Sequence, residues 1–307
     1  MVQFSHWLID PFAHAFMGRA LIEVVLMGAV TGAIGTYVVL RGLSFIGDAL
    51  SHAIFPGVVI AFLLGRSVFL GALVFGLLTS GGIVVLATTR RIREDSAIGV
   101  LFAGTFALGV VLISTTRNFS RDLASFLFGN VLGVTTEDIW LSAIVGGTVV
   151  LLLALFHKEL LLTAFDRVAA QAMGVPVFWL DLLLLVLISL TIVVSLSAVG
   201  NILVVAMLVT PAAAARLLTD RVTAMIGLSA AIGVVAGALG LLISYHADVA
   251  AGGTIVLVAT ALFGLVWLFA PAHGALAALR RRHRAPLGVA PESQVVFESP
   301  EIRTTQP

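Results

Sequence analysis

Residues 41–65 read RGLSFIGDALSHAIFPGVVIAFLLG, a mostly apolar stretch that is long enough to cross a bilayer. Two ionisable residues, Asp48 and His52, interrupt it four positions apart. On an α-helix this spacing puts both side chains on one face, with Cβ atoms about 5–6 Å apart. A carboxylate and an imidazole are costly in hydrocarbon, so the pair predicts a functional site inside the membrane.

Further polar and helix-perturbing residues accompany this pair. Ser44 and Ser51 fall on or beside the same helix face, and Pro56 removes the amide that would bond to the carbonyl of His52. The freed carbonyl needs another partner, which a cavity lined by water or ions would supply. We therefore expect Ser44, Ser51 and Pro56 to border a pathway. The alternative is that the pair only fixes helix packing, a contribution of about 0.6–2 kcal/mol.

The ligand chemistry of Asp48 and His52 suits a divalent first-row metal. Carboxylate oxygen and imidazole nitrogen together favour zinc, manganese or iron. A two-fold dimer would bring two such pairs together and provide four ligands. We expect the ion to be transported cargo, with no permanently bound cofactor.

Composition places the whole chain in the membrane. Of 307 residues, 60% are hydrophobic and 11% are charged, and the mean hydropathy is +1.14. These values predict an all-α, polytopic integral membrane protein. The absence of cysteine excludes disulfides and thiolate metal sites. The sequence has neither a nucleotide-binding fingerprint nor a recognisable catalytic set, so we expect a transport subunit and not an enzyme.

Nine membrane spans are predicted, with eight as the alternative if residues 198–217 do not form a full span. The predicted spans are 19–40, 41–65, 68–89, 97–115, 137–156, 177–198, 202–217, 223–244 and 254–271. The spans together form a predicted membrane domain at 19–272. Three segments lie outside this domain or on its surface. Residues 1–18 are predicted to lie at the interface, residues 158–175 to form a helix along the membrane surface, and residues 273–307 to be a disordered tail.

Charge distribution gives the orientation. If the basic loop around residues 88–95 is cytoplasmic, most of the 17 Lys and Arg residues fall on the cytoplasmic side. The N-terminus is then outside, whereas the 158–175 helix and the C-terminus are inside. Glu23 and Asp181 lie near the ends of their spans, and we expect both to reach their interfaces.

A second perturbed stretch, GNILVVAMLVTPAAAARL, covers residues 200–217. Its Gly-Asn start predicts either a sharp reversal or a break within one long helix, and Pro211 frees the carbonyl of Met207. Short, interrupted spans often border transport pathways. Asn201, Thr210 and Pro211 are therefore pathway candidates, with close helix packing as an equal alternative.

Several motifs resemble one family, the membrane permeases of bacterial zinc/manganese/iron ABC importers. The most specific is GDALSHA-x-x-PG within residues 41–65. The others are AIGVLFAGTFALGVVLIS (97–114), DLASFLFGNVLG (122–133), DRVAAQAMGVP (166–176), VGNILVVAMLVTPAAAARLLTDR (199–221) and GLLISYHADVAAGGTIVLVAT (240–260). The resemblance covers almost the whole chain except the first residues and the tail.

The resemblance implies a set of roles and partners. Asp48 and His52 would bind the metal. The segment from Asp166 to Gly174 would couple to the ATPase, through Asp166, Arg167, Ala170, Met173 and Gly174. The partners implied are two copies of a cytoplasmic ATP-binding subunit, an extracytoplasmic metal-binding protein and a second permease, identical or paralogous. The location would be the bacterial cytoplasmic membrane, and nucleic acid would have no part.

Two other functions stay open at this stage. One is a proton-coupled secondary metal transporter, in which Asp48 and His52 carry protons. The other is an ABC permease for a metal chelate, which needs a wide pathway and no direct metal ligands. Because zinc, manganese and ferrous iron all accept oxygen and nitrogen ligands, the residues leave the identity of the metal open.

Overall fold

The structure is a computed structural model that describes Pro11 and residues 14–88, 92–115, 131–271 and 274–276. This part of the chain is all-α, as the composition predicted. Its twelve α-helices are α1 (Ala15–Leu40), α2 (Ile46–Ala53), α3 (Phe55–Leu63), α4 (Val68–Ala87), α5 (Glu94–Ser114), α6 (Thr136–Leu155), α7 (His157–Phe165), α8 (Arg167–Ala172), α9 (Val177–Val199), α10 (Asn201–Leu218), α11 (Val222–Ala247) and α12 (Ala251–Phe269). A short 3-10 helix, Val131–Gly133, precedes α6.

Nine helical units in the described ranges are long and apolar enough to span a membrane, which confirms the predicted count. Helices α2 and α3 together make the second unit, Ile46–Leu63. The eight-span alternative fails because α9 and α10 are separate helices. Gly200 lies between them with φ +81°, a conformation that glycine adopts without steric cost and that ends the first helix.

The second span is not one continuous helix from residue 41 to 65. The chain leaves α1 through a turn at residues 41–45, and α2 begins only at Ile46. It ends at Ala53, and α3 begins at Phe55 with Pro56 in its first turn. Proline has no amide to donate to the preceding turn, so the hydrogen-bond ladder is interrupted just before it. The interruption therefore lies two residues ahead of the proline.

The predicted surface helix at 158–175 is also two helices. Helices α7 and α8 meet at Asp166, which has an extended backbone and accepts a hydrogen bond from the amide of Ala169 through Oδ1 at 2.8 Å. Aspartate caps a helix N-terminus well, so it begins a new helix here. The sequence signs of a single helix, its composition and its Gly-Val-Pro stop, did not include this internal cap.

The helices form an inner and an outer group. Most of α1, α2–α3 and α9 is buried, whereas α5, α6 and α12 leave most of their surface exposed. The packing of α1 on α11 is close because glycines meet there: a Cβ atom on Gly28 would lie 2.8 Å from the carbonyl carbon of Gly233. Small residues allow such close approach between membrane helices.

The predicted end segments lie mostly outside the described residues. Helix α1 begins at Ala15, four residues ahead of the predicted first span, and so takes in the end of the proposed interfacial segment. The rest of residues 1–18 is described only at Pro11 and His14, and the 273–307 tail only at residues 274–276. Both segments stay predictions.

Candidate functional site

Asp48 and His52 lie together on one face of α2, as their spacing predicted. The Oδ1 atom of Asp48 is 3.5 Å from the Nε2 atom of His52. Asp48 lies in the first turn of α2, where unpaired amides and the helix dipole favour a negative charge. The delayed start of α2 therefore places this carboxylate at a helix end rather than in mid-helix.

The pair is accessible from outside the chain. The side chain of Asp48 is 53% exposed and that of His52 is 25% exposed. A cavity of about 270 Å³ opens beside Asp48 and is also lined by Phe45, Asp95 and Phe102. An inward-facing pair that merely locked two helices together would be covered on both sides. The exposure instead leaves the carboxylate and the imidazole accessible to a molecule or ion outside the chain.

Helix α5 orients the imidazole of His52. The rings of His52 and Phe106 meet edge to face, with centroids 5.2 Å apart, and Phe102 lies on another side with centroids 5.7 Å apart. Phe102 and Phe106 are stacked on each other. Sequence reasoning missed these residues and Asp95. The four-residue spacing of Phe102 and Phe106 on one span was the available signal, but nothing in the local sequence indicated which helix would face His52.

The serines and the proline predicted to accompany the pair have different surroundings. Ser51 is fully buried and donates its hydroxyl to the backbone carbonyl of Asp48 at 2.9 Å. Pro56 is buried, whereas Ser44 is partly exposed. The residues that line the 270 Å³ cavity include none of these three. They flank the pair along the chain and do not face the same space.

The pathway candidates of α10 lie apart from this cavity. Asn201 begins α10 and is buried, with Oδ1 lacking a hydrogen-bond partner. Pro211 is buried within α10, and Thr210 is partly exposed. Helix α10 does approach the pair, because a Cβ atom on Gly47 would lie 2.8 Å from a methyl carbon of Leu208. The contact is through apolar atoms.

In the described part of the chain, no third potential metal ligand joins Asp48 and His52. Among the described residues, no group of three or more His, Cys, Asp or Glu side chains could hold a metal ion. Transition metals in proteins commonly take four or more ligands. For this pair to bind a metal ion, further ligands have to come from a second chain or from water.

The segment predicted to couple to an ATPase is largely exposed. Helix α8 is anchored by Ala170, which is fully buried, while Val168 and Met173 are 76% and 63% exposed. Asp166 caps the helix, and Gly174 ends it with φ +78°. Arg167 turns back toward the membrane helices and pairs with Glu94 and Asp181. The segment therefore presents apolar side chains on a short, firmly attached helix.

Two acidic residues expected at interfaces are buried instead. Glu23 is fully buried and accepts a hydrogen bond of 2.7 Å from the hydroxyl of Ser142 on α6. Asp181 pairs with Arg41 and Arg167. Both were expected to extend to their interfaces, but neither carboxylate reaches solvent, because Ser142 bonds to Glu23 and the two arginines bond to Asp181.

Comparison with known proteins gives a consistent result. The profile described as "ABC 3 transport family" matches residues 13–270. The manganese transport system membrane protein MntC of Halalkalibacterium halodurans is 45% identical over 273 residues, which cover 89% of this chain and 94% of that protein. A probable iron transport system membrane protein of Haemophilus influenzae is 38% identical over 269 residues, covering 88% and 95%. The structure of PsaBC from Streptococcus pneumoniae in complex with Fab is 42% identical and superposes with a TM-score of 0.78, covering 91% of this chain and 100% of that one.

Proposed function

The chain belongs to the ABC 3 transport family, and on that premise we propose that it is the permease of an ATP-driven importer for a divalent transition-metal ion. Manganese is the cargo named for the MntC relative and iron the cargo named for the Haemophilus relative. Zinc fits the same ligand chemistry. The membrane is the bacterial cytoplasmic membrane, with the N-terminus outside and the C-terminus in the cytoplasm, in accord with the distribution of Lys and Arg.

The observation that carries the proposal is the exposed Asp48–His52 pair. Its carboxylate oxygen and imidazole nitrogen lie 3.5 Å apart on one helix face. Within the described residues, the pair belongs to no group of three or more potential metal ligands. In a homodimer, two such faces meet across the two-fold axis and enclose one ion with four ligands. The absence of thiolate keeps binding reversible, as transport requires.

The ion then moves along a path toward the cytoplasm. The cavity beside Asp48 also contacts Asp95, in the first turn of α5, so it offers a second carboxylate on the predicted cytoplasmic side. Ser44, Ser51 and Pro56 flank the pair along the second span, and Asn201, Thr210 and Pro211 lie on α10; none of the six lines this cavity. The role of α10, a continuous helix with Pro211 inside it, is to shift against α2, since the two helices are in contact through Gly47 and Leu208.

The partners follow from the energy source. Two copies of a cytoplasmic ATP-binding subunit dock on α8 of the two permeases through Val168 and Met173, whose exposed apolar side chains suit a protein contact. Asp166, Arg167, Ala170 and Gly174 hold the helix in position. An extracytoplasmic metal-binding protein delivers the ion. Closure of the ATP-binding subunits displaces α8, and rigid-body motion changes which side is open.

Reconstitution tests the proposal. The permease with its ATP-binding subunit is placed in liposomes together with the metal-binding protein, and entry of Mn²⁺, Zn²⁺ or Fe²⁺ added without a chelator is measured with and without ATP. Uptake of at least one free ion that requires ATP supports the proposal. Uptake driven by a proton gradient without ATP would establish the secondary transporter instead. Uptake only in the presence of a chelator would establish a chelate permease.

A further inference from the structure

A buried carboxylate, Asp181 on α9, is shared by two arginines from different parts of the chain. Its Oδ1 atom accepts a hydrogen bond from Nη1 of Arg41 at 2.6 Å, and its Oδ2 atom pairs with Arg167. The side chains of Arg41 and Asp181 are only 7% and 4% exposed. Few waters can reach the Arg41–Asp181 pair, so it is held firmly, and the 43% exposed Arg167 side chain joins it at Oδ2.

The arginines connect the surface helices to the helix that carries the metal ligands. Arg167 is the first residue of α8, whereas Arg41 lies in the turn between α1 and α2. Arg41 also donates from Nη2 to the hydroxyl of Thr163 on α7 at 2.5 Å. The turn that leads into α2 is therefore bonded both to the surface segment and to α9.

A second contact makes the same connection. The hydroxyl of Tyr37, in the last turns of α1, lies 2.6 Å from Nδ1 of His157, the first residue of α7. Arg167 further contacts Glu94 at the start of α5, the helix whose phenylalanines surround His52. Helices α7 and α8 are thus bonded to α1, α5 and α9 by polar contacts. A movement of α7 or α8 would be passed on through these contacts.

We propose that Arg41 and Asp181 are positioning residues that transmit displacement of α8 to α2, so that the geometry of Asp48 and His52 follows the ATP-binding subunits. The inference rests on the proposed function, because it takes α8 as the docking helix and Asp48–His52 as the metal site. Only the 41–45 turn and the start of α2 separate Arg41 from Asp48. A displacement of Arg41 therefore reaches the carboxylate within a short, bonded length of chain.

A purely structural role makes a different prediction. If the ion pairs only stabilised the fold, their loss would lower stability and would reduce ATP hydrolysis and transport in proportion. If they transmit movement, their loss separates the two activities, and ATP is hydrolysed without transport. The informative quantity is the amount of Mn²⁺ transported for each ATP hydrolysed.

The experiment uses the complete transporter in liposomes with MnCl₂ as the cargo. Asp181→Asn keeps the side-chain shape and removes the charge that both arginines need. The matched control is Asp220→Asn, because Asp220 also pairs with an arginine, Arg216 at 3.5 Å, but is 72% exposed. We expect Asp181→Asn to lower the Mn²⁺ transported for each ATP by roughly tenfold, and Asp220→Asn to leave this ratio unchanged.

Arg41→Gln keeps the experiment decisive if Asp181→Asn does not fold. It leaves Asp181 paired with Arg167, so α8 stays attached to α9, and it removes only the link to α2. The ratio must fall in this variant too. A parental ratio in either folded variant, or a proportional fall of hydrolysis and transport, overturns the inference.

Measuring Mn²⁺ affinity distinguishes a failure of this inference from a failure of the proposed function. Purified Asp181→Asn and Arg41→Gln complexes should bind Mn²⁺ as tightly as the parental complex, because both metal ligands remain. Asp48→Ala, assayed beside them, should lose that binding. If Asp48→Ala instead bound and transported Mn²⁺ normally, the metal site itself would be misassigned, whatever the positioning variants did.

Discussion

The Nε2 atom of His52 lies 3.5 Å from the Oδ1 atom of Asp48, and both side chains are open to the outside of the single chain. In the proposed metal site, these two atoms can supply one half of the ligands without any rearrangement of α2. Because both side chains are exposed, the other half has to come from outside the chain. The first two predictions test these consequences separately.

Replacing either ligand should abolish metal uptake without unfolding the protein. Asp48→Ala and His52→Ala each remove a ligand from every half-site, so uptake should fall to that of empty liposomes. Both positions are partly exposed, so the melting temperature should stay near the parental value. Asp220→Ala is the control, because it removes a carboxylate from another exposed i,i+4 pair. Near-parental uptake in either ligand variant at equal expression would contradict the site.

Two copies of α2 should face each other in the membrane. The chain contains no cysteine, so a single introduced thiol can be cross-linked selectively. We expect Asp48→Cys to give a covalent dimer with a short bifunctional thiol reagent, measured by denaturing gel electrophoresis. Asp220→Cys, which is also exposed, should stay largely monomeric under the same conditions. Equal cross-linking at both positions would indicate random collision and no defined interface at α2.

The phenylalanine against His52 should contribute to metal affinity. Phe106 meets the imidazole edge to face at 5.2 Å, and its removal lets the ring rotate away from the metal. Phe106→Ala should weaken Mn²⁺ binding by roughly tenfold, the cost typical of losing a residue that orients a ligand. Phe106→Leu should recover part of the loss by filling the space. Phe269→Ala, at an exposed position on α12, is the control. Unchanged affinity in Phe106→Ala would show that the imidazole is held by other contacts.

Met173 should matter for assembly with the ATP-binding subunit. It is 63% exposed beside α8, and a charge there would have to be desolvated on docking. Met173→Asp should reduce co-purification of the subunit, while Met173→Leu should keep it because the apolar surface is retained. Undiminished co-purification of Met173→Asp would place the docking surface elsewhere.

The glycine contact between α1 and α11 should be sensitive to a single methyl group. A Cβ atom on Gly28 would lie 2.8 Å from the carbonyl carbon of Gly233, so Gly28→Ala should force the helices apart and lower the melting temperature. Gly147→Ala on α6 is the control, since nothing lies within 4 Å of its Cβ position. That change should be neutral or stabilise by about 0.5–1 kcal/mol, because alanine suits a helix interior better than glycine. Equal melting temperatures for the two variants would contradict the close contact.

The sequence by itself determined the membrane architecture and singled out the pair Asp48 and His52. Long apolar runs are local properties, so they predicted nine spans, and the i,i+4 spacing of Asp48 and His52 placed both on one helix face. Pro56 likewise indicated a perturbed second span. The motifs around these residues also indicated the family, which the match over residues 13–270 confirmed.

The tertiary structure decided which distant side chains meet. It brought Phe102 and Phe106 to His52, and it gave Asp181 the partners Arg41 and Arg167. It also ended α7 at Asp166, because the side chain of Asp166 caps α8 and so prevents one continuous helix. Hydropathy and spacing report only which residues of one helix share a face. Which charged groups and rings meet depends on how separate helices pack. This packing is fixed by the shapes of many side chains at once.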